Sequence, residues 1–263
     1  HNLKVVIDFW FHSHSFSTYW RPSYATNNRD IYLDPISKQA WLDFVSYVVT
    51  NLKGYPAIYA YTAMNEPFYD YASDRQPIED FIAETISTIK SIDNKPVSVR
   101  FASDFTPWTS RFSYDILDYV DFVGITEYLS PDGDTYLWEK ISSAVEWCNE
   151  NNKKFWIFEF GNDSPNDEIQ RQFYEDTIEQ FYQRGIRTCA AWNWQSVSPA
   201  VETFNIAYGV ANPRPAFYEL AYVPEPPPEK MPIELVIIAL ATGTIGVVAY
   251  SLTRKKRLTR MSQ

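Results

Sequence analysis

Short apolar runs rich in β-branched and aromatic residues alternate with helix-spaced patterns along this chain. That alternation restricts the fold, because parallel strands need helical crossovers to connect them. Strands are expected at Lys4–Phe9, Ile58–Met64, Val97–Phe101, Phe122–Ile125, Phe155–Phe158 and Thr188–Trp192. Between the first two, Trp41, Phe44, Val45, Val48, Val49 and Leu52 recur at helical spacing, bracketed by Pro35 and Gly54. Further helices fit Pro77–Ile92, Leu137–Asn149, Glu168–Arg184 and a short Pro215–Leu220.

A closed (β/α)8 TIM barrel has eight strands, two more than this count gives. The run Pro224-Glu-Pro-Pro-Pro-Glu-Lys-Met-Pro232 that follows the last helix cannot supply them. Strand-like sequence begins by Leu3, with no initiator Met and no signal peptide before it, so barrel strands 1 and 2 are expected upstream of this chain. Counting back from the end, Thr188–Trp192 becomes the eighth barrel strand, Phe155–Phe158 the seventh, Ile58–Met64 the fourth and Lys4–Phe9 the third. Beyond the proline-rich stalk, Leu235–Leu252 is an 18-residue stretch without a charge, followed by Arg254-Lys-Lys-Arg257 and Arg260. About 20 apolar residues span a bilayer, and a basic flank marks the cytoplasmic side. The expected organisation is a barrel over residues 1–223, a stalk over 224–232, a transmembrane helix over 233–253 and a basic cytoplasmic tail over 254–263. The barrel would then be an extracellular domain held at the cell membrane by a single pass, with the lipid bilayer as partner of the C-terminal helix.

Two apolar strands end on a glutamate: Glu66 in Ala60-Tyr-Thr-Ala-Met-Asn-Glu-Pro67, and Glu159 in Phe155-Trp-Ile-Phe-Glu-Phe-Gly161. A carboxylate at the mouth of a buried strand is costly unless it is used. Barrel sites collect at the C-terminal strand ends, so both glutamates fall on the same face. Strands four and seven lie across the barrel from each other, where two carboxyl groups can approach the ~5–5.5 Å separation of retaining glycosidases. On this reading Glu66 protonates the leaving oxygen and later deprotonates water, and Glu159 attacks the anomeric carbon.

Asn65-Glu66-Pro67 closing one strand and Phe158-Glu159-Phe160-Gly161 closing another resemble clan A glycoside hydrolases, most closely the cellulase and mannanase group of glycoside hydrolase family 5. The resemblance covers about residues 3 to 222 and itself implies an acid/base on strand four and a nucleophile on strand seven. It further implies that Asn65 hydrogen-bonds the sugar 2-hydroxyl and that Tyr128 donates to the nucleophile. One of Trp192 and Trp194 would lie under the reacting sugar. Two departures stand against it. The strand-three Asp-x-His pattern reads Asp8-Phe9-Trp10 here, which puts Trp10 in the histidine's place, with His12 and His14 further on, as cleft-lining or loop-surface residues. The strand-six His-x-Tyr pattern reads Thr126-Glu127-Tyr128, which adds Glu127 as a third candidate carboxylate. The strand-two arginine that supports the nucleophile in the family is expected in the part upstream.

The resemblance implies retaining hydrolysis of β-1,4-glucan or β-mannan, with a polysaccharide or oligosaccharide as substrate and neither metal nor redox cofactor. An inert surface barrel that binds carbohydrate is the alternative from another class, and an exo-acting β-glucosidase or transglycosylase is the alternative activity. Trp20, Tyr24 and Trp108 are candidate subsite platforms, since aromatic faces suit sugar rings. Six of the 23 Lys/Arg and three of the 33 Asp/Glu lie from Pro224 onward, which leaves 17 against 30 and a charge of −13 on the rest. Such a surface repels phosphate backbones and argues against nucleic acid. Cys148 and Cys189 read as two buried thiols more readily than as a disulfide, and no Cys/His spacing suits a metal.

Overall fold

A computed structural model describes residues 4–9, 30–69, 71–102, 106–128, 135–162, 164–191 and 237–240. Six strands follow one another in chain order across one parallel sheet: β1 (Val5–Asp8), β2 (Ile58–Asn65), β3 (Val97–Ala102), β4 (Phe122–Thr126), β5 (Lys154–Phe160) and β6 (Cys189–Ala191). They match the six expected strands, each within a few residues of its expected bounds. The crossovers carry helices α1 (Asp30–Leu33), α2 (Pro35–Leu52), α3 (Arg75–Ile92), α4 (Thr135–Glu150) and α5 (Asp167–Gln183). The result is a curled parallel sheet with its helices, a partial (β/α) barrel. The expected helix Pro215–Leu220 lies outside the described residues.

Local chemistry explains the helix starts. Pro35 occupies the first turn of α2, where its missing N–H costs nothing, and the Asp34 carboxylate accepts from Ser37 N at 2.7 Å. The Asn166 side chain caps α5 by accepting from Glu168 N and Ile169 N. In α3, Ile78, Phe81, Ile82, Thr85, Ile86 and Ile89 recur at three- and four-residue spacing and form its buried face.

Two apolar layers result. Between sheet and helices lies the larger core, which includes Trp41, Val45, Tyr61, Phe81, Val99, Phe101, Ile125, Ile157 and Phe160. On the other face of the strands, Val6, Ala60, Phe122, Trp156, Phe158 and Ala190 pack together as the barrel's filling. Gly124 is where this filling is tightest. A Cβ there would stand 1.8 Å from Cε2 of Phe158, so only glycine admits that ring.

A seventh strand, β7 (Ile237–Leu240), pairs parallel with β1, Val5 opposite Ile237 through Asp8 opposite Leu240. These four residues were expected within a transmembrane helix and are strand instead. The outer edge of β1 presents backbone groups that need partners, and an apolar segment with two isoleucines satisfies them. The remainder of 233–253 lies outside the described residues, and among the described residues no helix is long and apolar enough to cross a membrane.

Candidate active site

Both glutamate-bearing strands carry a register shift just before the glutamate. Between Thr62 and Asn65, β2 runs three residues while β3 advances two, from Ser98 to Arg100. Between Ile157 and Glu159, β5 runs two residues while β4 advances one, from Ile125 to Thr126. Such bulges re-aim side chains that strict alternation would send to the helix layer. Phe158 belongs to the inner filling, Glu159 follows it directly, and Phe160 returns to the helix side. Glu66 sits one residue past the end of β2 with φ 45°, the left-handed region. Its N–H donates to the Arg100 carbonyl at 2.6 Å. A non-glycine residue held there costs about 1–3 kcal/mol, a cost typical of functional positions.

Glu159 is buried and both carboxylate oxygens are engaged. The Tyr128 hydroxyl donates to Oε2 at 2.6 Å. Arg100 Nη2 is ion-paired with Oε1. Arg100, itself 2% exposed, also donates from Nη1 to Asp8 Oδ2 at 2.6 Å and from Nε to Thr126 Oγ1 at 3.2 Å. The other oxygen of Asp8, Oδ1, accepts from the Thr62 hydroxyl. Burial pushes the Asp8 carboxyl above the usual range, against the opposing pull of Arg100 and the hydrogen bond from Thr62. Burial also raises the Tyr128 phenol; the Arg100 charge lowers it and the nearby Glu66 carboxylate adds to the rise. Tyr128 therefore stays a neutral donor and stands within electrostatic reach of both glutamates.

Asn65 is buried at the end of β2, opposite Arg100 in register. Its Oδ1 has no hydrogen-bond partner among the described residues. Leaving such an atom unsatisfied costs about 1–3 kcal/mol, which a ligand hydroxyl would recover. Glu66, Asn65, Tyr128 and Glu159 thus come together at the C-terminal ends of the strands.

Other expectations are placed elsewhere. Glu127 lines a small crevice between β4 and α4 with Trp108, Lys140, Ile141 and Ala144, on the opposite face of the sheet from Glu159, so it is no rival acid. Trp108 is buried there, edge-on to Tyr114 and Trp147, and is a packing residue rather than a subsite platform. Cys148 and Cys189 are free thiols, both pushed up to about 12 by burial. Trp10, His12, His14, Trp20, Tyr24, Trp192 and Trp194 lie outside the described residues. Among the described residues no cluster of His, Cys, Asp and Glu is arranged to hold a metal.

A cation that the motifs did not single out, Arg100 on β3, reaches the Glu159 carboxylate. One signal was visible: in Val97-Ser-Val-Arg-Phe-Ala102, Ser98 and Arg100 take the inward positions of an otherwise apolar strand, and a cation there needs a buried anion.

The fold resembles that of several solved glycoside hydrolases. An endo-β-1,4-mannanase from Thermotoga petrophila superposes with a TM-score of 0.60 at 18% identity, over 82% of this chain and 56% of that one. An endo-1,4-beta-mannanase from Rhizomucor miehei gives 0.59 at 17%, over 72% and 62%. A GH2 beta-galacturonidase from Eisenbergiella tayi gives 0.55 at 21%, over 70% and 36%. The chain thus spans about 62% and 56% of the length of these two mannanases. No protein-family model matches the sequence, and no curated protein matches it.

Proposed function

We propose that the protein is a retaining β-glycosidase acting on a β-1,4-glucan or β-mannan, with Glu159 as nucleophile and Glu66 as acid/base. The observation that carries this reading is the environment of Glu159. One oxygen meets a guanidinium and the other a phenol, which together favour the carboxylate that a nucleophile must be. An inert carbohydrate-binding barrel has no use for a buried, charge-paired carboxylate beside a second glutamate held in left-handed backbone.

In the first step a Glu159 oxygen attacks the anomeric carbon while the glycosidic C–O bond breaks and the departing oxygen takes the Glu66 proton. In the second, Glu66 takes a proton from water, the water oxygen attacks the same carbon, and the ester bond electrons return to Glu159. The Asn65 amide holds a sugar hydroxyl in this reading, which its buried Oδ1 without a partner among the described residues supports. Similarity to the two mannanases supports a β-linked polysaccharide or oligosaccharide as substrate.

Glu159→Ala tests the assignment. Turnover should fall by at least about 10³-fold, and azide should restore it as a glycosyl azide of inverted configuration, since the cavity admits an external nucleophile. Loss of turnover without that product would remove Glu159 from the role.

A membrane tether through 233–253 is supported by the uncharged run Leu235–Leu252 and its basic flank. It competes with the pairing of Ile237–Leu240 on β1. Recovery of the protein in the membrane pellet after alkaline carbonate extraction is expected for the tether, and release to the supernatant would favour the paired strand.

A further inference from the structure

Arg100 is one cation between two buried carboxylates, and its three nitrogens are divided among Asp8, Glu159 and Thr126. Among the described residues, the charged and titratable groups around Glu159 are few. Asp8 comes from β1, acting through Arg100, and Glu66 from the end of β2. Arg100 comes from β3 and Tyr128 from just beyond β4. On β6, Ala190 packs into the inner filling while Cys189 packs on the helix side. Asp8 is fully buried, and its second oxygen is held by Thr62.

We infer that Asp8 is a positioning residue that sets the basicity of Glu159 through Arg100, by sharing the guanidinium that would otherwise serve the nucleophile alone. The inference rests on reading Glu159 as the nucleophile. An unshared arginine would hold negative charge on Glu159, which slows its attack on the anomeric carbon and eases its departure from the glycosyl ester. Sharing does the reverse. Thr62 fixes Asp8 and Thr126 fixes Arg100, so the division of charge is built into β1, β2, β3 and β4 at once.

The two partners of this relay are therefore expected to act on Glu159 with opposite sign. Asp8→Asn frees the guanidinium and should lower the Glu159 pKa by about one pH unit, with the acid limb of kcat/KM moving down equally. Arg100→Met removes the cation and should raise both by about 1–3 pH units. The double variant, Asp8→Asn with Arg100→Met, removes a carboxylate together with its cation. It gives the same comparison should Arg100→Met alone fail to fold, and its Glu159 pKa should lie above that of Asp8→Asn.

The pKa is read directly by carbon NMR titration of protein carrying ¹³C-carboxyl glutamate, with Glu159→Gln assigning the resonance. Opposite displacements in the NMR titration support the relay. An unmoved Glu159 resonance in Asp8→Asn, or displacements of the same sign, overturn it. The titration needs no turnover, so wild-type protein inactive on every β-glycoside offered would refute the glycosidase reading while the NMR result still decides the relay.

Discussion

The two ends of the strands use charge differently. At the lower end, where helices lead into strands, Asp93 accepts from the Tyr61 hydroxyl at 2.9 Å and from Lys95 Nζ at 2.8 Å, and Lys95 also donates to the Lys53 carbonyl. Nearby, Asp121 accepts from Val97 N and pairs with Lys90. Each of these contacts ties one loop to the next, and the lysines remain in reach of water. At the upper end, Asp8, Arg100 and Glu159 are all buried, and two carboxylates divide one guanidinium. The carboxylates at the lower end tie the chain together near water, whereas those at the upper end share one buried cation. Barrels separate stability from chemistry along the strand axis, and here the separation is written in how completely each charge is paired.

The contrast breaks most severely at Gly124. Gly124→Ala drives a methyl into the Phe158 ring, whose neighbour in the chain is Glu159. We expect a stability loss of about 1–3 kcal/mol, measured by urea denaturation, and a fall in kcat of about 10- to 100-fold as Glu159 shifts. An unchanged kcat would show that the inner filling does not position the nucleophile.

Asp93→Asn probes the lower end and should have a smaller effect. It should cost about 1 kcal/mol at neutral pH and leave kcat/KM at the wild-type value. Burial pushes the Asp93 carboxyl up, but hydrogen bonds from Lys95 and Tyr61 and the Lys95 charge outweigh it, and the net direction is down. A depressed folded-state pKa contributes stability above the unfolded value, and that contribution is lost as pH falls through the folded one. The difference in melting temperature between wild type and Asp93→Asn should therefore be full at pH 7 and close below about pH 4. A gap that persists at pH 2, or a change in kcat/KM, would erase the division between the two ends.

Much of this architecture is legible in the sequence. The six strands follow from apolar periodicity, and Glu66 and Glu159 announce themselves as carboxylates where apolar runs break off. Tyr128 is legible only through resemblance, and its hydroxyl does meet Glu159. Arg100 is not, because a lone arginine in a strand does not say which anion it meets. Asp8 and Glu159, 151 positions apart, become its partners only when the sheet curls. Trp108 misleads for the converse reason: composition marks an aromatic residue as suited to sugar but cannot tell a cleft from the layer beneath a helix. Within the uncharged stretch from Leu235, four residues pair with the edge of β1, a contact that hydrophobicity alone does not foretell.

The central claim is that Glu159 forms the covalent bond to the sugar. Its most direct test is incubation of the protein with a 2-deoxy-2-fluoro-β-glucosyl or β-mannosyl fluoride, followed by intact mass and peptide mapping. One added fluoroglycosyl group on Glu159, absent in Glu159→Gln and slow to form in Glu66→Ala only with poor leaving groups, is the predicted result. A label on any other residue, or none while the protein hydrolyses the parent glycoside, would contradict it.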